Sequence, residues 1–154
     1  MWRRETAIAL GLSLAITGNF GVAEASELVA YKIVDQVKIP APLTSEAGDP
    51  VRGRAVAIDR KKGNCLACHD MPVPEQPFHG EIGPNLADVA TRLSEGELRL
   101  RVVNSKKINP ESSMPAFYRT DGLNAVSKDF VGEPILTAQE VEDVVAYLMT
   151  LKGQ

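Results

Sequence analysis

Cys65-Leu66-Ala67-Cys68-His69 puts two thiols three positions apart, with an imidazole directly after the second. Thiols at that spacing can add to the two vinyl groups along one edge of a porphyrin. The adjacent imidazole then swings under the iron as its proximal ligand, and C-x-x-C-H is the attachment pattern of c-type haem. Three other chemistries draw on the same residue types. A zinc site would need Cys65, Cys68, His69 and His79, the two cysteines and two histidines of the chain. Cys68 and His69 are immediate neighbours, and no second ligand pair follows at finger or ribbon spacing, which argues against zinc. A thioredoxin-like pair belongs beside a βαβ unit, whereas this chain reads as mostly helical. A structural disulfide does not suit so short a loop. The expected cofactor is one covalently bound haem c, held through Cys65 and Cys68 with His69 on the iron.

A second axial ligand must come from across the haem plane. Met71 lies two residues from His69, a reach of about 7 Å at most, too little to pass round the macrocycle. Met149 falls in the apolar stripe of the last helix and reads as core. Met114 stands 45 positions beyond His69, in Ser113-Met114-Pro115-Ala116-Phe117. It is the expected distal ligand, with His79 the remaining alternative. A Met/His pair fills both axial positions and raises the potential, which suits electron transfer. Gly83-Pro84-Asn85-Leu86 supplies a proline carbonyl able to accept the His69 Nδ1 proton, orienting the ring and leaving Nε2 for iron. The same residues also read as a plain Gly-Pro turn.

These residues need helices to position them. Asp49-Pro50 has the form of a helix start, with Asp49 as N-cap and Pro50 at the first helical position. Val51, Ala55, Val56 and Ile58 are expected to form its apolar side, the basic run Arg60-Lys61-Lys62 to follow, and Gly63 to stop it. Ser94-Glu95-Gly96-Glu97 is a capping box opening a helix through about Val103. Thr137-Ala138-Gln139-Glu140 is a second. Val141, Val144, Val145, Leu148 and Met149 then recur at helical spacing, and Lys152-Gly153 is the expected close. The connections Met71 to Pro84 and Lys106 to Pro134 are long and rich in Pro and Gly, as expected where a chain wraps a large cofactor.

The first 25 residues read as a cleaved export signal: Arg3 and Arg4, an uncharged run from Ala7 to Ile16, and Ala23-Glu24-Ala25 before Ser26. Ten helical residues span about 15 Å, half a bilayer core, so no membrane span is expected in the mature protein. Removing 25 of the 154 residues leaves 129. Residues 26–49 form an N-terminal arm, packed on the domain or a partner, or else a loose leader; residues 50–154 form the domain. With 17 basic and 20 acidic residues, a net charge of −3 and 5% aromatic residues, the chain does not have the make-up of a nucleic-acid binder.

The C-x-x-C-H motif, the later Gly-Pro-Asn-Leu, Met114-Pro115 and the amphipathic last helix together resemble class I cytochromes c, over residues 50 to 152. That likeness implies an all-α domain with long loops wrapped around one covalent haem, its first and last helices crossing beside the haem edge. Gly53 would permit the close approach, and Tyr147-Leu148 resembles the family's aromatic-apolar pair. Within that family, Gly63-Asn64 before the motif, Asn109-Pro110 before Met114-Pro115-Ala116-Phe117-Tyr118-Arg119, and Pro134 through Leu148 are similar to the SoxX cytochromes, small subunits of bacterial SoxAX complexes. The resemblance implies a periplasmic heterodimer with SoxA, which carries the catalytic haem. It also implies an L-cysteine S-thiosulfotransferase reaction joining thiosulfate to the carrier SoxYZ, with the two electrons leaving through this subunit to another cytochrome c. Both cysteines are committed to haem, so no thiol remains here for sulfur chemistry. The alternative is a free-standing periplasmic shuttle, which has no need of the 26–49 arm. A peroxidase-like enzyme would need an open iron position and is disfavoured if Met114 ligates.

Overall fold

The computed structural model describes residues 28–153, with the side chain of Asp129 left aside. The expected export signal lies outside these residues. Among the described residues four helices carry the fold: α1 (Pro50–Ile58), α2 (Val89–Arg92), α3 (Glu95–Asn104) and α4 (Ala138–Leu148). Single 3₁₀ turns occupy Cys65–Ala67, Ser105–Lys107 and Lys128–Phe130. Among the described residues the extended pairing is one isolated bridge, Val34 with Lys38.

The helix starts follow from local chemistry. Asp49 accepts the Val51 and Arg52 amides at 2.7 and 3.2 Å, and Pro50 needs no acceptor at the first position. Both capping boxes form. Ser94 N–H donates to Glu97 at 2.9 Å, and Thr137 and Glu140 exchange bonds of 2.9 and 3.2 Å.

The helix ends and faces differ from expectation. α1 stops at Ile58, before Gly63, because Asp59 turns extended and its side chain accepts the Lys61 amide. Its deepest residues are Gly53 and Ala57; of the expected apolar side, Val56 and Ile58 pack partly buried against the core, while Ala55 is exposed and Val51 is 78% exposed. The reason lies in α4, which packs directly against α1. A Cβ on Gly53 would collide with the Asp143 carbonyl, so only the smallest side chains fit the crossing. α4 ends at Leu148, and Gly153, at φ +76°, instead donates its amide to Ala87 O at 2.8 Å. Around this crossing the core gathers Leu98, Leu100, Val103, Val141, Val144, Val145 and Leu148, with Leu66, Met71, Phe117 and Leu136 from the loops.

Residues 28–49 pack on the domain. Ile39 and Leu43 are buried, Ile39 N–H donates to Gly96 O at 2.9 Å, and Val29 N–H donates to the Tyr118 hydroxyl at 2.8 Å. A buried ion pair fastens them. Arg99 bonds Glu142 through Nε and Nη2, both at 2.8 Å, and its Nη1 donates to Ile39 O at 2.9 Å. Glu142 also accepts the Leu43 amide at 2.8 Å. Glu95 also accepts from Arg99 Nη2 at 2.5 Å, so removing Arg99 is the change that strands a buried charge, that of Glu142, at about 3–5 kcal/mol.

Candidate haem centre

The attachment motif is set up by a backbone reversal. Asn64 takes the left-handed region at φ 46°, which asparagine tolerates better than most residues, and turns the chain into the Cys65–Ala67 turn. Cys68 N–H and His69 N–H both donate to Cys65 O, at 3.1 and 2.9 Å. One tight turn therefore carries all three groups, with residues three apart on a common face. Neither cysteine is in a disulfide. Cys65 packs against the core, and burial pushes its thiol up to about 11. Tyr147 of α4 stands close by: burial raises its hydroxyl, Arg54 opposes this, and Cys65 adds to it.

The loop after the motif folds back over it. Gly80 N–H donates to Leu66 O and Gly83 N–H to Cys68 O, both at 2.7 Å, and Leu86 N–H donates to Asp70 O at 2.9 Å. Neither glycine has room for a side chain. A Cβ at Gly80 would strike the Ala67 carbonyl, and one at Gly83 would strike the His69 ring. His69 Nδ1 lies 2.7 Å from Pro84 O. A carbonyl can only accept, so Nδ1 carries the proton and Nε2 keeps its lone pair for a metal.

The structure brings Cys65, Cys68, His69 and Pro84 together. Met114 lies in the loop after α3, partly buried against the core. Its carbonyl accepts from Ser105 Oγ at 3.0 Å and its amide donates to Ser112 Oγ at 3.2 Å. The loop is pinned to α3 where Phe117 and Tyr118 donate to Val102 O and Val103 O. These bonds engage the backbone of Met114, while its side chain packs against the core. Met71 is buried in the core. His79 is tied to the motif's own loop, with Nδ1 2.8 Å from Asp70 Oδ1. Among the described residues, no group of three or more His, Cys, Asp or Glu side chains could hold a metal ion.

Three residues of the site carried no expectation. Asp70, Asn85 and Gly80 stitch the loop to the motif, and their signal was slight: a carboxylate directly after the attachment histidine, and an amide inside Gly-Pro-Asn-Leu.

The family model described as Cytochrome c matches residues 51–152. The chain belongs to the cytochrome c family. Membership of the cytochrome c family brings one covalently attached haem c, and Cys65 and Cys68 fit its C-x-x-C-H motif. The residues present suit that group, since two cysteines outside any disulfide and an imidazole with an available Nε2 share one turn, with glycines at 80 and 83 where a Cβ would strike the motif. This cytochrome is similar to a chain in the crystal structure of SoxXA from P. pantotrophus. The two are 38% identical with a TM-score of 0.72, covering 80% of this chain and 94% of that one. At that identity and coverage the likeness extends to the SoxX type of cytochrome. Among curated proteins none matches.

Proposed function

We propose that this cytochrome is the electron-transfer subunit of a SoxAX complex, the L-cysteine S-thiosulfotransferase of thiosulfate oxidation. It would pair with SoxA, which carries the catalytic haem. It would accept the electrons released when thiosulfate is joined to a cysteine of SoxYZ and pass them to another cytochrome c. The observation that carries this reading is 38% identity to a SoxXA chain over nearly its whole length. Haem c, when bound, supplies a one-electron couple. The chain's own residues supply the rest. Cys65 and Cys68 would fasten the porphyrin, His69 and Met114 would hold its iron, and Pro84 would orient His69. We place the mature start at Ser26 and the protein in the periplasm. Among the described residues, no helix is long and apolar enough to cross a membrane.

The 26–49 arm does not separate the subunit from a free shuttle, because Ile39 and Leu43 are spent on the domain itself. What favours a partner is the loop over the motif, where Phe78 and Ile82 are 86% and 75% exposed. Size-exclusion chromatography of the native protein tests the proposal. Co-elution with a second cytochrome, and haem reduction that requires thiosulfate, that cytochrome and SoxYZ together, are expected. Elution as a lone small cytochrome, with no thiosulfate-dependent reduction in the reconstituted mixture, would leave the shuttle.

A further inference from the structure

Pro84 has no N–H, so the carbonyl facing His69 is held in place only through its neighbours. Gly83 is tied to Cys68 O. Asn85 is gripped three ways. Its Nδ2 donates to Asp70 Oδ2 at 2.5 Å, its Oδ1 accepts the Ala87 amide at 2.7 Å, and its carbonyl accepts Arg92 Nη2 at 2.6 Å. The first bond is to a carboxylate and therefore among the stronger kind. It also joins the residue after the iron ligand to the residue after the orienting carbonyl.

The second oxygen of Asp70 is used as well. Oδ1 lies 2.8 Å from His79 Nδ1 and, as a carboxylate, can only accept, so Nδ1 carries the proton and donates it as a hydrogen bond, leaving no lone pair there for the Met71 N–H at 3.3 Å. His79 is 15% exposed and cannot swing freely, whereas Asp70 is 54% exposed. The half-buried imidazole thus stops the exposed carboxylate from rotating away from Asn85. One carboxylate grips both limbs of the loop, at residue 79 and at residue 85.

We propose that Asp70 is a positioning residue for the axial histidine. Through Asn85 it sets the Pro84 carbonyl against His69 Nδ1–H, and so fixes the ring orientation and donor strength of the imidazole. His79 serves as its brace and takes no part as an iron ligand. The proposal rests on His69 being the proximal ligand. A carbonyl held on Nδ1 raises the basicity of a metal-bound imidazole and favours the oxidised metal, so loosening it raises the reduction potential.

Asn85→Ala and Asp70→Ala in the haem-loaded protein test this, read by exchange of the His69 Nδ1 proton in NMR and by the reduction potential. Asn85→Ala changes no charge. In both variants we expect Nδ1 exchange faster on the order of tenfold, the worth of one hydrogen bond, together with a raised potential. Wild-type exchange and potential in Asn85→Ala, with a shift confined to Asp70→Ala, would leave only a charge effect and overturn the proposal. A lower melting temperature with both readouts unmoved would overturn it too. Should Asp70→Ala not accumulate, Asn85→Ala still breaks that bond, together with the bond from the Ala87 amide, and Asn85→Asp, which keeps an acceptor for Ala87 but no donor for Asp70, separates the two. Absence of hyperfine-shifted His69 ring signals in the wild type would instead remove the ligand reading beneath it.

Discussion

Arg52 and Asp143 clasp α1 to α4 through two bonds, Nε to Oδ2 at 2.8 Å and Nη2 to Oδ1 at 3.0 Å. Next to this clasp Gly53 lies against the Asp143 carbonyl. The ion pair and the glycine contact define one crossing, and the motif turn follows α1 directly.

Gly53→Ala drives a methyl group into backbone that has no alternative position. The helices must part, which costs about 1–3 kcal/mol for an overpacked contact. Urea unfolding followed by circular dichroism should show the midpoint falling. An unchanged midpoint would mean that α1 and α4 can separate freely.

Asp143 gives the crossing a defined pH dependence. Burial alone would raise its carboxyl, but bonds from Arg52, the Asp49 amide and Gln139 outweigh this and hold it below the usual range. A depressed carboxylate contributes stability that is present above the unfolded value of about 3.9 and lost as pH falls through the folded one. Asp143→Asn should therefore be less stable than wild type at neutral pH, by about 1–3 kcal/mol for lost charged hydrogen bonds. The gap should narrow below about pH 4. Unfolding curves at pH 7 and pH 3 check this, and a gap of equal size at both would contradict it.

Met114 and His79 separate in the oxidised visible spectrum. Met114→Ala should abolish the weak charge-transfer band at the red end and lower the potential, because a thioether stabilises ferrous iron. His79→Ala should keep the band, since His79 is held by Asp70. The reverse pattern would make His79 the ligand.

The basic run beyond α1 offers a kinetic test. Lys62 is paired with Glu140, while Arg60 and Lys61 are exposed and make no ion pair among the described residues. If they steer an acidic partner, Arg60→Gln/Lys61→Gln should slow association severalfold at low salt, and the difference should shrink as salt is added. Equal rates at low ionic strength would leave a solvated chain turn.

The sequence by itself determined whatever is local. C-x-x-C-H names its cofactor because three side chains on one turn meet one porphyrin edge. Asp49-Pro50, Ser94–Glu97 and Thr137–Glu140 mark helix starts because each cap is completed within three or four residues. Only the tertiary structure decided what depends on distant chain. The true buried face of α1, Gly53 and Ala57, exists because α4 presses there. Arg99 and Glu142 look like surface charges until three segments close around them. Gly83-Pro84 read equally as a plain turn or as a hydrogen-bond acceptor. It faces His69 because loop closure brings residues 15 apart to 2.7 Å, with Asp70 and Asn85 stitching the seam. Helix ends differ for the same reason: Gly153 is placed by Ala87 O rather than by α4, and Gly63 folds back onto Val56 O of α1 after that helix has already ended at Ile58.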